Sequence, residues 1–315
     1  MIRVNQLTKQ VGIGTPLKNI SFQIKEQESV GIFGASGAGK TMLCDVLSGF
    51  LSCGQNTVYI DGQDIEKKPA YTRGLIGYVP AKAPLYLDMT VSEYLEFMCG
   101  INRLARRHRK QRISSALYTA GLTAHRHAEI KTLSLLNRRR TALAGAIVYG
   151  PKILILDQFF TGLTTEDTLV LRTVLQELRQ DYTFLLCSDT AGDIVDLCNR
   201  VLVLNEGVMT TDTSIARLLS FSSQRNRLRL RIAGHPPEIK AAFSPIYEIV
   251  DITFQNVSEQ GLVDVFIDVA QDVDLRQQIW MTATNANLPI LEMRNIQISP
   301  EDIFMQLTSH GQGGN

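Results

Sequence analysis

Apolar and polar positions alternate through most of residues 1–30. Met1 to Leu7 and Leu17 to Ile24 both show the period-two pattern of half-buried strands, with a turn at Gly12-Ile13-Gly14. A short apolar run, Ser29 to Phe33, then precedes a glycine-rich stretch and a helix-like segment from Met42 to Phe50. Asn56 to Ile60 and Leu75 to Val79 read as strands, with a turn at Asp61-Gly62, before Pro80 and Pro84 break the regularity. From Thr90 to about Leu143 the spacing turns helical: Val91, Tyr94, Leu95 and Met98 share one face, with Thr90 or Ser92 as the cap. Pro151 opens Lys152 to Asp157, an apolar run ending in an acid, as suits a strand buried on both faces of a parallel sheet. A helix over Glu166 to Arg179, a strand over Thr183 to Cys187, a helix near Ala191 to Cys198 and a strand over Arg200 to Asn205 follow, with a hairpin turn at Glu206-Gly207. This alternation predicts an α/β layer structure around a mostly parallel sheet.

The pattern loosens over Ser214 to Asn226, where Ser220, Ser222 and Ser223 are concentrated, and a linker is expected at 221–226. Beyond it, alternating stretches at Arg227–Ile232, Ile249–Phe254, Val263–Val269 and Ile290–Ile298 are separated by helical ones at Pro237–Phe243 and Leu275–Ala286. A last helix opens at Ser299-Pro300, with Ser299 as N-cap, and the tail His310 to Asn315 is expected to be disordered. The expected organisation is therefore a nucleotide-binding domain over 1–220, its helical subdomain at about 82–142, and a small α+β domain over 227–315.

The chemistry centres on Gly34-Ala35-Ser36-Gly37-Ala38-Gly39-Lys40-Thr41, which matches every fixed position of a phosphate-binding loop between a strand and a helix. Glycines let successive backbone N–H groups converge on phosphate oxygens, and the helix start adds unpaired N–H groups and its positive dipole end. Lys40 would reach the β- and γ-phosphates, and the Thr41 hydroxyl would hold Mg²⁺.

Composition changes this picture little. The 315 residues carry a net charge of +1, so nothing in the overall field calls for nucleic acid, and none is expected as a partner. Cys44, Cys53, Cys99, Cys187 and Cys198 form no C-x-x-C pair and read as thiols of a reducing compartment. No apolar run approaches the ~18 residues of a spanning helix, and the N-terminus carries no signal core. The basic run Arg103 to Arg112 reads either as a phosphate or acidic-partner patch or as a solvated helix face, and the latter is expected, since no aromatics interleave with it and the chain is not basic. His125 and His127 have no ligand partners in sequence and are assigned to a solvated loop, Asp88 and Glu93 to a helix entry, and Trp280 to the core.

Taken together, residues 1–220 resemble the ATP-binding subunits of ABC transporters. The phosphate loop and Ile153-Leu154-Ile155-Leu156-Asp157 resemble the two Walker motifs. Ile76 to Pro80 resembles the approach to the Q-loop, Leu133-Ser134 with Asn137 to Arg140 the signature region, and Leu197 to Gly207 the last core strand and turn. The tail ending Ser299 to Thr308 resembles the extra C-terminal domain of multidrug or gliding-motility type subunits. The resemblance implies an ABC-type P-loop NTPase fold with a RecA-like core, an inserted helical subdomain and a small C-terminal α+β domain. It also implies ATP and Mg²⁺ as cofactors, with Asp157 as a second metal-associated residue.

The same resemblance exposes departures. The family's general base, a Glu after the Walker B Asp, is Gln158 here, and an amide cannot take a proton from water. The switch His is Asp189, the Q-loop Gln is Ala81, the D-loop Asp is Thr164, and the adenine-stacking aromatic falls near Val11. The signature Leu-Ser-Gly-Gly-Gln reads Leu133-Ser134-Leu135-Leu136-Asn137, with leucines where backbone should approach a partner's γ-phosphate. The resulting expectation is a degenerate, pseudo-ATPase subunit that binds ATP-Mg without efficient hydrolysis. It would act in a homo- or heterodimer beside a membrane permease, at the cytoplasmic face of the inner membrane. Two alternatives stand beside it: a weakly active transport ATPase compensated within its complex, and a nucleotide-independent structural or regulatory module.

Overall fold

The N-terminal alternation folds as β1 (Ile2–Lys9) and β2 (Leu17–Ile24), an antiparallel pair that turns Ile2, Val4, Leu7, Leu17, Ile20 and Ile24 inward. A computed structural model describes residues 1–10, 12, 16–223, 225–256, 261–270, 274–296 and 302–304. Val11, Ile13, Gly14, the helix opening at Ser299-Pro300 and the tail 310–315 lie outside the described residues.

The chain continues through β3 (Ser29–Phe33), α1 (Lys40–Leu47), β4 (Val58–Ile60), β5 (Gln63–Asp64), α2 (Pro69–Gly74) and β6 (Ile76–Val79). Next come α3 (Val91–Ile101), α4 (Arg106–Thr119), α5 (Leu135–Ile147), β7 (Ile153–Asp157), α6 (Thr165–Leu178) and β8 (Thr183–Ser188). Then follow α7 (Ala191–Leu197), β9 (Arg200–Asn205), β10 (Val208–Ser214) and α8 (Ile215–Ser223). Two sheets result, β2-β1-β4-β5 and β10-β9-β3-β8-β7-β6. In the second sheet β9, β3, β8, β7 and β6 run parallel, and β10 closes the β9 edge antiparallel after the left-handed pair Glu206-Gly207. β3, β7 and β8 are buried at every position, which is why they read as unbroken apolar runs rather than alternating ones. One core joins the facing sides of the two sheets around α1.

Helices α3 to α5 are inserted between β6 and β7. The helical pattern from Thr90 to about Leu143 resolves into these three helices, with 120–134 carrying only two 3₁₀ turns. Gly121, in the left-handed region at φ +66°, ends α4 where a right-handed helix cannot continue. The cap of α3 is Thr90, whose hydroxyl accepts from the Glu93 backbone N–H while the Glu93 carboxylate accepts from the Thr90 N–H.

Met1–Ile215 form one compact unit and Ala216–Met305 another. The second comprises β11 (Arg225–Ala233), α9 (Pro236–Phe243), β12 (Ile249–Asn256), β13 (Leu262–Ala270), α10 (Arg276–Asn285) and β14 (Ile290–Ile296). Its sheet order, β12-β13-β11-β14, with every neighbour antiparallel, is a split βαβ arrangement. Leu228, Leu230 and Ile232 of β11 enter its core with Ile239, Phe243, Ile279 and Ala283, while Arg227, Arg229 and Arg231 alternate to the other face and pair with Asp268 and Asp264. Two expectations are corrected here. Of the segment expected as a linker at 221–226, the described residues are helix to Ser223 and strand from Arg225, the helix forming because Ile215 and Leu218 fall at helical spacing and are buried. Trp280 is 57% exposed, since the inward stripe of α10 runs Leu275, Ile279, Ala283 and leaves the next position outside.

Candidate functional site

The carboxyl ends of parallel strands are where an α/β sheet gathers its chemistry. Gly34 follows β3, Ala81 lies two residues beyond β6, Asp157 ends β7 and Asp189 follows β8. These residues reach one region because their strands are sheet neighbours, β3-β8-β7-β6.

The loop Gly34–Gly39 wraps around the Lys40 ammonium, which donates to Gly34 O at 2.6 Å and Ala35 O at 2.9 Å. Its glycines serve different needs. A Cβ on Gly34 would stand 2.4 Å from Leu204 O, so this glycine permits close packing of the loop on β9. Gly37 has open space around it but adopts φ +82°, and Gly39 caps α1 at φ +103° with no side chain to occupy the helix's first N–H groups. Those donors remain for an anion. Burial holds Lys40 below its ordinary pKa, opposed by the carboxylates of Asp189 and Asp157.

Asp157 is fully buried, and neither carboxylate oxygen completes a hydrogen bond. Burial raises its pKa; the nearby Thr41 hydroxyl, Lys40 and the Ala81 backbone act in the other direction without offsetting it. A buried carboxylate that completes no hydrogen bond is costly unless a cation meets it, and the Thr41 hydroxyl is its near neighbour. Mg²⁺, an oxygen-seeking ion held by one or two protein groups beside phosphates, fits that donor set. Beneath it, Cys44 Sγ and Cys187 Sγ are 2.7 Å apart, and with Asp157 they form a buried triad within 4.8 Å.

A cavity of about 540 Å³ lies here, lined by Ser36, Gly37, Gly39, Lys40, Thr41, Ala81, Gln158 and Asp189 among others. Gln158 sits at φ +48°, its N–H donating to Cys187 O at 2.9 Å and its side-chain oxygen accepting from the Thr161 hydroxyl at 3.2 Å. Asp189 is exposed on a braced turn. Ser188 donates to Asp193 at 3.0 Å, the Thr190 N–H donates to Ser188 at 3.0 Å, and Arg172 donates to Asp193 at 2.7 Å.

The remaining expected residues do not line this cavity. Thr164 caps α6 by accepting from the Asp167 N–H at 3.1 Å. Ser134 caps α5, accepting from Asn137 N at 3.3 Å; Leu135 is 45% exposed, with its Cδ2 3.4 Å from where a Cβ on Gly162 would stand, and Leu136 is half-buried. Asn137 Nδ2 contacts His125 Nε2 at 3.2 Å, so His125 packs on the signature segment rather than lying in a solvated loop.

Sequence reasoning missed Arg139. It is buried, lines the cavity and bridges two loops, donating to Ala81 O at 2.8 Å and Thr161 O at 3.2 Å. Burial lowers its pKa, and no carboxylate is among its bonded partners. Lying within Arg138-Arg139-Arg140, it carried no sign that one arginine alone turns inward.

A family model described as "ABC transporter" matches residues 17–161. The linearmycin resistance ATP-binding protein LnrL of Bacillus subtilis is 25% identical over 309 residues, covering 98% of each chain. The uncharacterized ABC transporter ATP-binding proteins YxlF of Bacillus subtilis and MJ1023 of Methanocaldococcus jannaschii are 31% and 30% identical over 207 residues, covering 68% and 74% of their lengths. In fold, the chain matches a cbiO1 structure from Clostridium perfringens at TM-score 0.63 and 24% identity, over 70% of this chain and 90% of that one. It also matches a dimeric ATP-binding cassette bound to ADP and Pi, at TM-score 0.61 and 23% identity, over 68% and 99%.

Proposed function

The chain belongs to the ATP-binding proteins of ABC transporters, and we propose that within that family it holds ATP-Mg without efficient hydrolysis. Gly34 to Thr41 would take the phosphates, with Lys40 as the counter-charge, and Thr41 and Asp157 would hold Mg²⁺. The carrying observation is the content of the cavity opposite them. Where a base is needed stands the Gln158 amide, its oxygen engaged by Thr161, and where a γ-phosphate donor is needed stands the Asp189 carboxylate. The amide cannot take a proton from water, and the carboxylate cannot donate to a γ-phosphate or offset its developing negative charge. The leucines at 135 and 136 support the same reading from the surface that would meet a second subunit's nucleotide.

Such a chain would serve as the degenerate partner of a membrane permease, a competent ATPase subunit, or both, at the cytoplasmic face of the membrane. An apolar groove of about 750 Å³, lined by Phe50, Pro84, Tyr86, Phe97 and Ile101 among others, suits the docking of a permease segment. Phe50 at 82% and Ile101 at 58% exposure are otherwise unfavourably solvated. Similarity to the linearmycin resistance ATP-binding protein covers 98% of the chain and so extends through the C-terminal unit.

The test is equilibrium binding of ATP with Mg²⁺ to the purified chain, with Lys40→Ala as control and phosphate release followed in the same tube. Retention at millimolar ATP without release is expected. Steady turnover overturns the degenerate reading, and wild-type binding no stronger than that of Lys40→Ala overturns nucleotide holding.

A further inference from the structure

The charge of this chain is unevenly distributed. From Phe97 to Ala128 there is no Asp or Glu, while six basic residues fall between Arg103 and Arg112 and a seventh is Arg126. That stretch carries +7; with the whole chain at +1, the rest carries −6. Among the described residues its one ion pair joins Arg109 to Glu96, at 2.8 Å. Arg103, Arg106, Arg107 and Lys110 are exposed.

Their placement opposes local stability twice. Arg106, Arg107, Arg109 and Lys110 occupy the start of α4, the positive end of the helix dipole, where acids are favoured; the first turn has no acid, and the Ala105 N-cap offers no side-chain bond. Arg103 sits at φ +56°, a left-handed conformation disfavoured for side chains other than Gly, Asn and Asp. Glu96 offsets Arg109 and the His108 ring nitrogen meets Arg107 at 3.0 Å, whereas Arg103, Arg106 and Lys110 have no ion pair among the described residues; residues that break local rules in this way mark functional sites.

We propose that the α3–α4 turn and the first turns of α4 form a docking surface for anionic lipid headgroups. The cations are exposed along one turn and the start of one helix, which suits a sheet of many like charges better than one shaped ligand. Apolar groups flank them: Ile101 is 58% exposed two residues before Arg103, and Tyr118, at the far end of α4, is 82% exposed. Cations beside exposed apolar and aromatic side chains are the composition of a membrane-interface contact. Ile101 also lines the apolar groove. The proposal rests on the permease-docking reading only for this orientation: a chain docked through that groove would bring the basic turn to the bilayer beside its partner.

The test is co-sedimentation of the full-length chain with vesicles of phosphatidylcholine alone and of a three-to-one mixture with phosphatidylglycerol. Binding to the anionic vesicles, and its loss at high salt, are expected. Each basic residue near such a surface contributes roughly fivefold in affinity. Arg106→Gln/Arg107→Gln/Lys110→Gln should therefore weaken binding about 10²-fold. If the triple variant does not reproduce the wild-type thermal melt, the single variants Arg106→Gln and Lys110→Gln are read instead, each with about a fivefold loss. Equal binding to both vesicle types, or folded variants that bind like wild type, overturns the proposal. So does displacement from vesicles by a polyglutamate peptide at equimolar charge, which would assign the surface to an acidic protein segment. ATP retention is read on the same preparations, so failure of nucleotide holding and failure of lipid binding appear separately.

Discussion

Restoring a carboxylate at position 158 isolates one of the losses that the degenerate reading invokes. Gln158→Glu is isosteric. The replaced side chain keeps an acceptor for the Thr161 hydroxyl, and the backbone bond from position 158 to Cys187 O is untouched, so the fold should be retained. A general base contributes about 10²–10⁴-fold to a hydrolytic rate. Asp189 in place of a donor, and the leucines in place of an N–H-presenting turn, each withhold a further ~10²–10³-fold. Gln158→Glu alone thus leaves about 10⁴–10⁶-fold unrecovered. The new carboxylate also faces the same cavity as Asp189, close to the buried Asp157, and like charges raise its pKa and thin its basic form. Phosphate release from Gln158→Glu should remain at the wild-type background, and Gln158→Glu/Asp189→His should gain measurably over either single variant. Turnover of the single variant at an ordinary enzymatic rate, roughly 1 s⁻¹ or faster, would refute the argument, because it would mean that position 158 was the only lesion.

Gly34→Ala places a methyl group 2.4 Å from the Leu204 carbonyl oxygen and should cost about 1–3 kcal/mol as the loop and β9 separate; an unchanged melting temperature would contradict the close approach. A thiol reagent on the native chain should modify Cys53 slowly, its thiol pushed up to about 11, and leave the buried Cys44, Cys99, Cys187 and Cys198 until denaturation. Fast labelling of all five would show that the floor of the cradle opens. The hydrogen bond from Arg231, aided by Arg229, holds Asp264 below the usual carboxylate range, so its stabilisation is full above the unfolded pKa near 3.9 and fades as pH falls through the lower folded value. Asp264→Asn should therefore unfold the C-terminal unit earlier at neutral pH, by roughly 1–3 kcal/mol given the part-exposed arginines, with the difference closing in strong acid. A gap that persists there would assign the effect to packing.

What the sequence determined by itself was local. Strands buried on both faces announced themselves as apolar runs, and the phosphate loop was legible because its glycines, lysine and threonine must follow one another along the backbone. Gln158 and Asp189 could be read as misfits because their neighbours fix their register within motifs. The tertiary structure decided everything that depends on which residues meet. That Gly34 is needed against Leu204, that Arg139 alone of three arginines turns inward to join Ala81 and Thr161, and that His125 lies on Asn137 follow from packing between distant segments. It also decided that the serine-rich stretch before Arg225 is helix and that Trp280 faces outward, since burial on one face overrides weak propensity and a single-residue offset on a helix turns a side chain by about 100°. A one-dimensional pattern gives the period of an element. Which face is covered depends on its neighbours, and those are fixed only when the chain folds.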